Sequence, residues 1–338
     1  YDTASGSELW KSDGTGAGTV MIKDINPGAA SADVSSLVAV GTTLYFAAND
    51  GVTGNELWTS DGTAAGTVLL KDIAQGGTWS GVDDMISVDG MLYFSAVDGT
   101  HGRELWKSDG TAMGTEMVQD IYPGSLSSQP KNLVAMDGKV YFTAADSNAN
   151  GYELWSSDGT AAGTFQVKNI NTLVGTTSVN QSSSNIEFLS ALNGKLYFVA
   201  RPVSGGNDQL WVSDGTAVGT FALFDTANVN YMMVTSNTVL FSGSDPVHGY
   251  ELWKTDGTVA GTEFFKEIEP GAASTDFYSL GYLYAYENDA VPLVEVSSGV
   301  ALIGAYRSDT GTELWKTDGT AAGTKLIMDI NPGMSDAF

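Results

Sequence analysis

The sequence predicts an all-β chain: a seven-bladed β-propeller of four-stranded antiparallel blades, its first blade incomplete with strands C and D only. Three observations predict it. An 18-residue unit, first seen at 8–25, returns until there are seven copies; a hairpin-like segment precedes six of them; helical periodicity is almost absent.

The unit reads ELWKSDGTGAGTVMIKDI at 8–25 and recurs at 56–73, 104–121, 153–170, 209–226, 251–268 and 313–330 with no insertion or deletion. Its tryptophans are Trp10, Trp58, Trp106, Trp155, Trp211, Trp253 and Trp315, spaced 48, 48, 49, 56, 42 and 62 residues apart. All length variation therefore lies between units, so the units are framework and the connectors are surface loops. Each unit is a hairpin: strand C (ELWxS), a turn SDGTxxGT, then strand D. The preceding segments, such as LVAVGTTLYFAA (37–48) and LVAMDGKVYFTA (133–144), hold two apolar runs around an Asp-Gly or similar pair. That is a strong short hairpin signal, and it supplies strands A and B. Four short strands per period is the propeller signature, whereas the coils of a solenoid are shorter. The whole chain, 1–338, reads as one propeller domain with insertions at 171–187 and 274–292.

The repeat resembles the bacterial ELWxxDGT repeat family. Six copies carry ELW with SDGT or TDGT, and one carries Gln209-Leu210-Trp211 with Ser213-Asp214-Gly215-Thr216. The resemblance implies a secreted or surface-exposed bacterial protein, hence an extracellular location, and implies no particular activity.

Composition narrows the partners. There are 40 acidic and 15 basic side chains, a net charge of −25, and 42% of residues are apolar. The apolar share is enough for a core. The charge argues against nucleic acid or an anionic membrane surface, and no apolar run is long enough to insert into a bilayer. With no Cys there are no disulfides or thiolate metal sites, which leaves packing, hydrogen bonds and hard cations to hold the fold.

Connectivity assigns the faces. The A–B and C–D hairpins share one face and are short and uniform. The B–C loops and D-to-A crossovers share the other, are long and variable, and form the expected binding face. On the first face the turn aspartates, Asp13 to Asp318, are expected to accept hydrogen bonds from turn amides. The tryptophans are expected to pack between blades, each with a buried partner for its indole N–H.

Candidate site residues lie on the second face. Strand D ends in an acid in six copies, the B–C loops add Asp2, Asp50, Asp98, Asp146 and Asp245, and the Glu of ELW opens strand C beside them. Such oxygens suit Ca²⁺, with Asp50, Glu56 and Asp72 as its candidate ligands; the same pattern also reads as a solvated, turn-capping rim. Arg103, Arg201 and Arg307 all fall in B–C loops, where they either bind a ligand or pair with nearby acids. Trp79 and the insertion's Tyr278, Tyr282 and Tyr284 are aromatics of the kind that stack on sugars or anchor a peptide. The insertion reads equally as an extra strand pair.

No Ser–His–Asp order, H-E-x-x-H, P-loop or dinucleotide motif is present. The expectation is therefore a non-catalytic domain that binds a glycan or a surface protein, such as an adhesin. The alternatives are a polysaccharide lyase or glycosidase on a propeller scaffold, and a structural module of a surface fibre that self-associates through its incomplete blade. Fold alone does not select among them.

Overall fold

A computed structural model describes residues 1–172, 179–224, 228–270, 277–278 and 293–333. They build seven antiparallel sheets, the propeller blades that the repeat predicts. Blade 1 has two strands, Leu9–Lys11 and Val20–Lys23. Blade 2 runs Ser35–Val40, Thr43–Asn49, Asn55–Ser60 and Val68–Lys71; blade 3 runs Asp83–Val88, Met91–Val97, Arg103–Ser108 and Glu116–Gln119. Blade 4 is Lys131–Met136, Lys139–Ala145, Tyr152–Ser157 and Phe165–Lys168; blade 5 is Glu187–Leu192, Lys195–Ala200, Gln209–Ser213 and Phe221–Phe224. Blade 6 is Val229–Val234, Val239–Asp245, Gly249–Thr255 and Glu263–Lys266. Blade 7 has Leu293–Ser297, Val300–Arg307, Gly311–Thr317 and Lys325–Met328, plus Phe277–Tyr278. The one helix among the described residues is the short Val179–Ser182.

The strands fall into two compact units. The first holds residues 1–166 with 179–182, and the second holds 167–172 with 183–333. In each, the A strands of successive blades touch, which makes A the inner strand. The predicted hairpin signal is visible in the backbone: Asp89-Gly90, Asp137-Gly138 and Asn193-Gly194 all have positive φ, as a type I′ turn requires.

Strand alternation sends successive side chains to opposite faces, and the core forms between blades. In the first unit, Tyr45, Leu57 and Ile73 of blade 2 pack against Val82, Phe94 and Trp106 of blade 3. Tyr93, Leu105 and Ile121 of blade 3 pack in turn against Phe142 and Trp155 of blade 4. In the second unit, Leu252 and Ile268 of blade 6 meet Ile303 and Trp315 of blade 7. The tryptophans thus pack between blades, as their register predicts. The expectation about their N–H groups is corrected. Trp253 Nε1 donates to Gly243 O at 2.9 Å, but Trp58, Trp106, Trp155, Trp211 and Trp315 find no protein acceptor. An alanine Cβ at Gly243 would come within 3.0–3.2 Å of Phe241, Trp253 and Phe224, so glycine allows that ring its closer approach.

Two residues of the 274–292 insertion, Phe277–Tyr278, extend a sheet. Phe277 and Tyr278 pair with Ala305 and Gly304, while Leu293 pairs with Ile303, so strand B of blade 7 has two partners along one edge. Tyr282 and Tyr284 lie outside the described residues.

Candidate functional site

The repeated motif accounts for itself letter by letter. In all seven turns the Asp Oδ1 accepts the amide and the hydroxyl of the Thr two residues on; Asp109 takes Thr111 N at 2.9 Å and Thr111 Oγ1 at 2.7 Å. That Thr hydroxyl in turn accepts the amide of the second Gly, as Gly114 does at 2.9 Å. The Ser or Thr before the Asp shares a 2.6–2.7 Å hydrogen bond with the Thr that closes the motif, Ser108 with Thr115 for example. The second Gly passes so close over the carboxylate that a Cβ would lie 1.9–2.1 Å from it. The Thr hydroxyl, then the Thr amide, hold every turn aspartate below its ordinary value. Both bonds to each Oδ1 come from within the turn itself.

The first Gly of the turn answers to a neighbouring blade. A Cβ at Gly110, where φ is +90°, would meet Tyr45 Oη at 2.5 Å; the equivalent pairs are Gly159 with Tyr93 and Gly257 with Tyr197. Lysines clasp the same turns. Lys107 Nζ donates to Gly159 O at 2.8 Å and Lys23 Nζ to Thr67 O at 2.7 Å.

The Glu of ELW is not a rim acid. Glu56, Glu104, Glu153, Glu251 and Glu313 are fully buried, and the carboxylates of Glu56, Glu104, Glu251 and Glu313 accept backbone amides of the segment that follows strand D of their own blade. Glu104 accepts Ile121 N at 2.9 Å, Tyr122 N at 3.4 Å, Ser128 N at 3.0 Å and Ser128 Oγ at 2.6 Å. Burial outweighs these bonds and raises Glu8, Glu56 and Glu104 above the ordinary carboxylate value. The Gly two residues earlier makes the clasp fit: a Cβ at Gly6, Gly54 or Gly102 would lie 2.1–2.3 Å from the carbonyl of Ala30, Thr78 or Leu126. The recurring G-x-E spacing signalled this in the sequence and was not among the residues singled out.

Of the three candidate metal ligands, two are occupied. Asp50 Oδ1 accepts Val52 N, Thr53 N and Thr53 Oγ1 at 2.7–3.0 Å, and Glu56 accepts Ile73 N at 2.7 Å and Ala74 N at 3.3 Å. Asp72 differs: its Oδ1 is buried without a hydrogen-bond partner, as are those of Asp24, Asp120 and Asp329, and its charge adds to the rise at Glu56. Among the described residues no three His, Asp or Glu side chains gather as a metal site. The loop histidines follow the Asp50 pattern: Asp98 takes His101 N at 2.7 Å and meets His101 Nδ1 at 2.8 Å, and Asp245 meets His248 Nδ1 at 2.9 Å.

The arginines separate. Arg201 makes a two-pronged pair with Asp208, at 2.9 and 2.6 Å, and Arg307 Nε meets Asp309 at 2.8 Å. Arg103 makes no such ion pair among the described residues. Its Nη1 donates to Gly81 O at 2.5 Å and Ser95 Oγ at 3.0 Å. Its Nη2 and the Nε1 of Trp79 both come up to Gly81, so the structure brings together two residues that the sequence had offered separately. Trp79 is 71% exposed.

This pair stands at the start of the inner strands. Asp83 accepts Ser36 Oγ at 2.8 Å, and the backbone amide of Asn132 on the next blade lies near enough to Asp84 to favour its charged form. Burial and then the charge of Asp83 raise Asp84 above its ordinary value, with Lys131 and Arg103 close enough to oppose them. Ser36, Asp84, Asn132 and Phe188 occupy one register position in four successive A strands, each at a bulge and each with φ of 50–57°. Left-handed backbone at non-glycine residues is a strained conformation of the kind that clusters at working sites.

No protein-family model matches the chain, and no curated protein does. Solved structures do. A puromycin hydrolase matches at 11% identity and a TM-score of 0.45 over 85% of this chain. A puromycin-hydrolyzing peptidase of Mycobacterium tuberculosis matches at 12% and 0.47 over 86%. The β-propeller domain of the Trilobed protease of Pyrococcus furiosus matches at 12% and 0.40, over 67% of each chain. This chain spans 45% and 43% of the lengths of the first two. The functional expectation is corrected here. The similar structures are hydrolases and peptidases, and at these identities and TM-scores they lend this chain no activity, ligand or partner. The non-catalytic glycan- or protein-binding domain and its alternatives are withdrawn.

Proposed function

We propose that this chain binds a small zwitterionic molecule of the free amino-acid class at the start of the inner strands of blades 2–4. One observation carries the reading: an exposed indole, Trp79, stands with the Arg103 guanidinium at Gly81, directly before the carboxylates of Asp83 and Asp84. Groups of both signs come close there, the Arg103 guanidinium of strand C and the carboxylates of Asp83 and Asp84, which matches an ammonium and a carboxylate on one small molecule. Trp79 offers a stacking face to its side chain. Nη1 of Arg103 is held by Gly81 and Ser95, which orients the guanidinium before any ligand arrives.

The test is a calorimetric titration with free tryptophan, tryptamine and indole-3-propionate. Tryptophan is expected to bind saturably, and each analogue, lacking one charge, at least about tenfold more weakly. Trp79→Ala removes binding. As pH falls, Asp84 protonates above the ordinary aspartate value of about 4, so affinity declines in that range. Equal binding of all three probes, or unchanged binding to Trp79→Ala, overturns the proposal.

A second reading concerns Ca²⁺. The buried, unpartnered Oδ1 atoms of Asp24, Asp72, Asp120 and Asp329 favour a cation at the end of strand D, completed by backbone carbonyls rather than by Asp50 or Glu56.

A further inference from the structure

We propose, resting on the amino-acid reading above, that Gly81 is a positioning residue which gives the site its selectivity for a ligand with a free carboxylate. Its missing side chain leaves the space in which the Arg103 guanidinium lies beside Trp79.

Blades 2 to 5 share one backbone course at the entry to the inner strand. Two residues before that strand stand Asp33, Gly81, Gln129 and Asn185, with φ of 48°, 55°, 51° and 48°. The carbonyl just before each, that of Ala32, Ser80, Ser128 or Ser184, accepts an amide at the end of strand B, from Asn49, Val97, Ala145 or Arg201. Three of the four residues are not glycine, so this left-handed conformation does not by itself call for one. What sets blade 3 apart is the neighbour. A Cβ at Gly81 would lie 2.5 Å from Arg103 Nη2 and 3.9 Å from Trp79 Nε1. At the place of Arg103, directly before the Glu or Gln that opens the repeat, the other three blades carry Asn55, Tyr152 and Asp208.

A second departure from the repeat meets the same guanidinium. Ser95 is fully buried, and its register position holds Ala47, Thr143 and Val199 in the other three blades. Its Oγ accepts Arg103 Nη1 at 3.0 Å and donates to Asp83 O at 3.4 Å. Thr143 Oγ1, by contrast, donates to the inner-strand carbonyl of Lys131 at 3.2 Å, with no arginine beside it. Nη1 is thus taken up by Gly81 O and Ser95, while Nη2 makes no hydrogen bond among the described residues. Nη2 is the prong that shares Gly81 with Trp79, so it is an oriented, charged donor for a carboxylate on a ligand that stacks on the indole. A side chain at position 81 would claim that space. The guanidinium, at the end of a flexible chain, is the group that would move, and it would leave Ser95 and Gly81 O as it did so.

The test replaces Gly81 by the residue that blade 5 holds in the same backbone conformation, Gly81→Asn, with Gly81→Ala as the smaller change. Both are expected to melt as the parent does. In calorimetric titrations the parent is expected to prefer tryptophan to tryptamine by at least about tenfold, and Gly81→Asn to bind the two within about twofold of each other, tryptamine itself binding as before. Gly81→Ala is expected to fall between. A ligand-free readout accompanies these: phenylglyoxal labelling of the three arginines, mapped by peptide mass, in which Arg103 is expected to react faster in Gly81→Asn while Arg201 and Arg307 keep their parent rates. A parent that does not tell tryptophan from tryptamine sinks the amino-acid reading and this proposal with it. A selective parent whose Gly81→Asn variant is equally selective, or labels equally at Arg103, overturns this proposal alone.

Discussion

Replacing Glu104 by Ala tests whether the ELW glutamate is a structural anchor. Its carboxylate satisfies three backbone amides and one hydroxyl in a fully buried site. A buried donor left without a partner costs about 1–3 kcal/mol, and water entering the space once filled by the side chain recovers part of the sum. The net loss is expected to be about 3–5 kcal/mol, the range seen when one member of a buried charged network is removed. Glu104→Gln keeps one acceptor oxygen and turns an amide donor toward other donors, so an intermediate loss of about 1–3 kcal/mol is expected. The control is Glu116, whose exposed carboxylate pairs with Lys107 at 3.1 Å; its alanine variant is expected to stay within about 0.5 kcal/mol of the parent. The assay is urea unfolding, with hydrogen exchange at Ile121, Tyr122 and Ser128 as the local readout, because a chain of two compact units need not unfold in one step. A loss below about 1 kcal/mol for Glu104→Ala, with those amides still protected, would refute the anchor.

Three further outcomes follow from the same geometry. Gly110→Ala is expected to destabilise by more than about 1 kcal/mol, from positive-φ strain together with the 2.5 Å approach of Tyr45 Oη, and Tyr45→Phe in the same chain to restore part of it; a strictly additive double mutant would contradict the contact. The turn aspartates have lowered folded pKa values, so their contribution is present above the unfolded value of about 4 and is lost as pH falls through the lower folded ones. The raised Glu8, Glu56 and Glu104 act in the opposite sense at higher pH, so stability measured against pH should rise slightly before it drops; a continued rise below about pH 3 would contradict the turn bonds. At −25 net charge, salt is expected to raise the melting midpoint by screening, and CaCl₂ to raise it further than NaCl of equal ionic strength; equal shifts would remove the strand-D cation reading.

The fold was legible because it is a repeat. An ungapped unit and an Asp-Gly or Asn-Gly pair between apolar runs fix strand order and turn type by local chemistry, and Asp89-Gly90 and Asn193-Gly194 take the required backbone. The turn aspartates were legible for the same reason, since their partners lie two residues away. What was not legible depends on groups far apart in sequence. Glu104 looked like a rim acid because the amides that donate to it, those of Ile121 and Ser128, lie 17 and 24 residues on. The tyrosine of strand B and the glycine of the next turn meet only once blades stack, as Tyr45 and Gly110 do. The site was half legible. Trp79 and Arg103 were chosen for exposure and charge, but their meeting at Gly81 depends on the crossover path, and the neighbouring Asp83 and Asp84 carried no motif. Arg201 and Arg307 took the local pairs that acidic loops offer.

The central claim divides the conspicuous repeated residues, which hold the fold, from an inconspicuous segment that binds. Its most direct test is one calorimetric titration of tryptophan, with melting curves, on three chains: the parent, Asp109→Ala and Trp79→Ala. The account predicts that Asp109→Ala melts lower and binds as the parent does, while the exposed Trp79→Ala melts as the parent does and binds nothing. Loss of binding in Asp109→Ala at an unchanged melting midpoint, with Trp79→Ala binding normally, would contradict it.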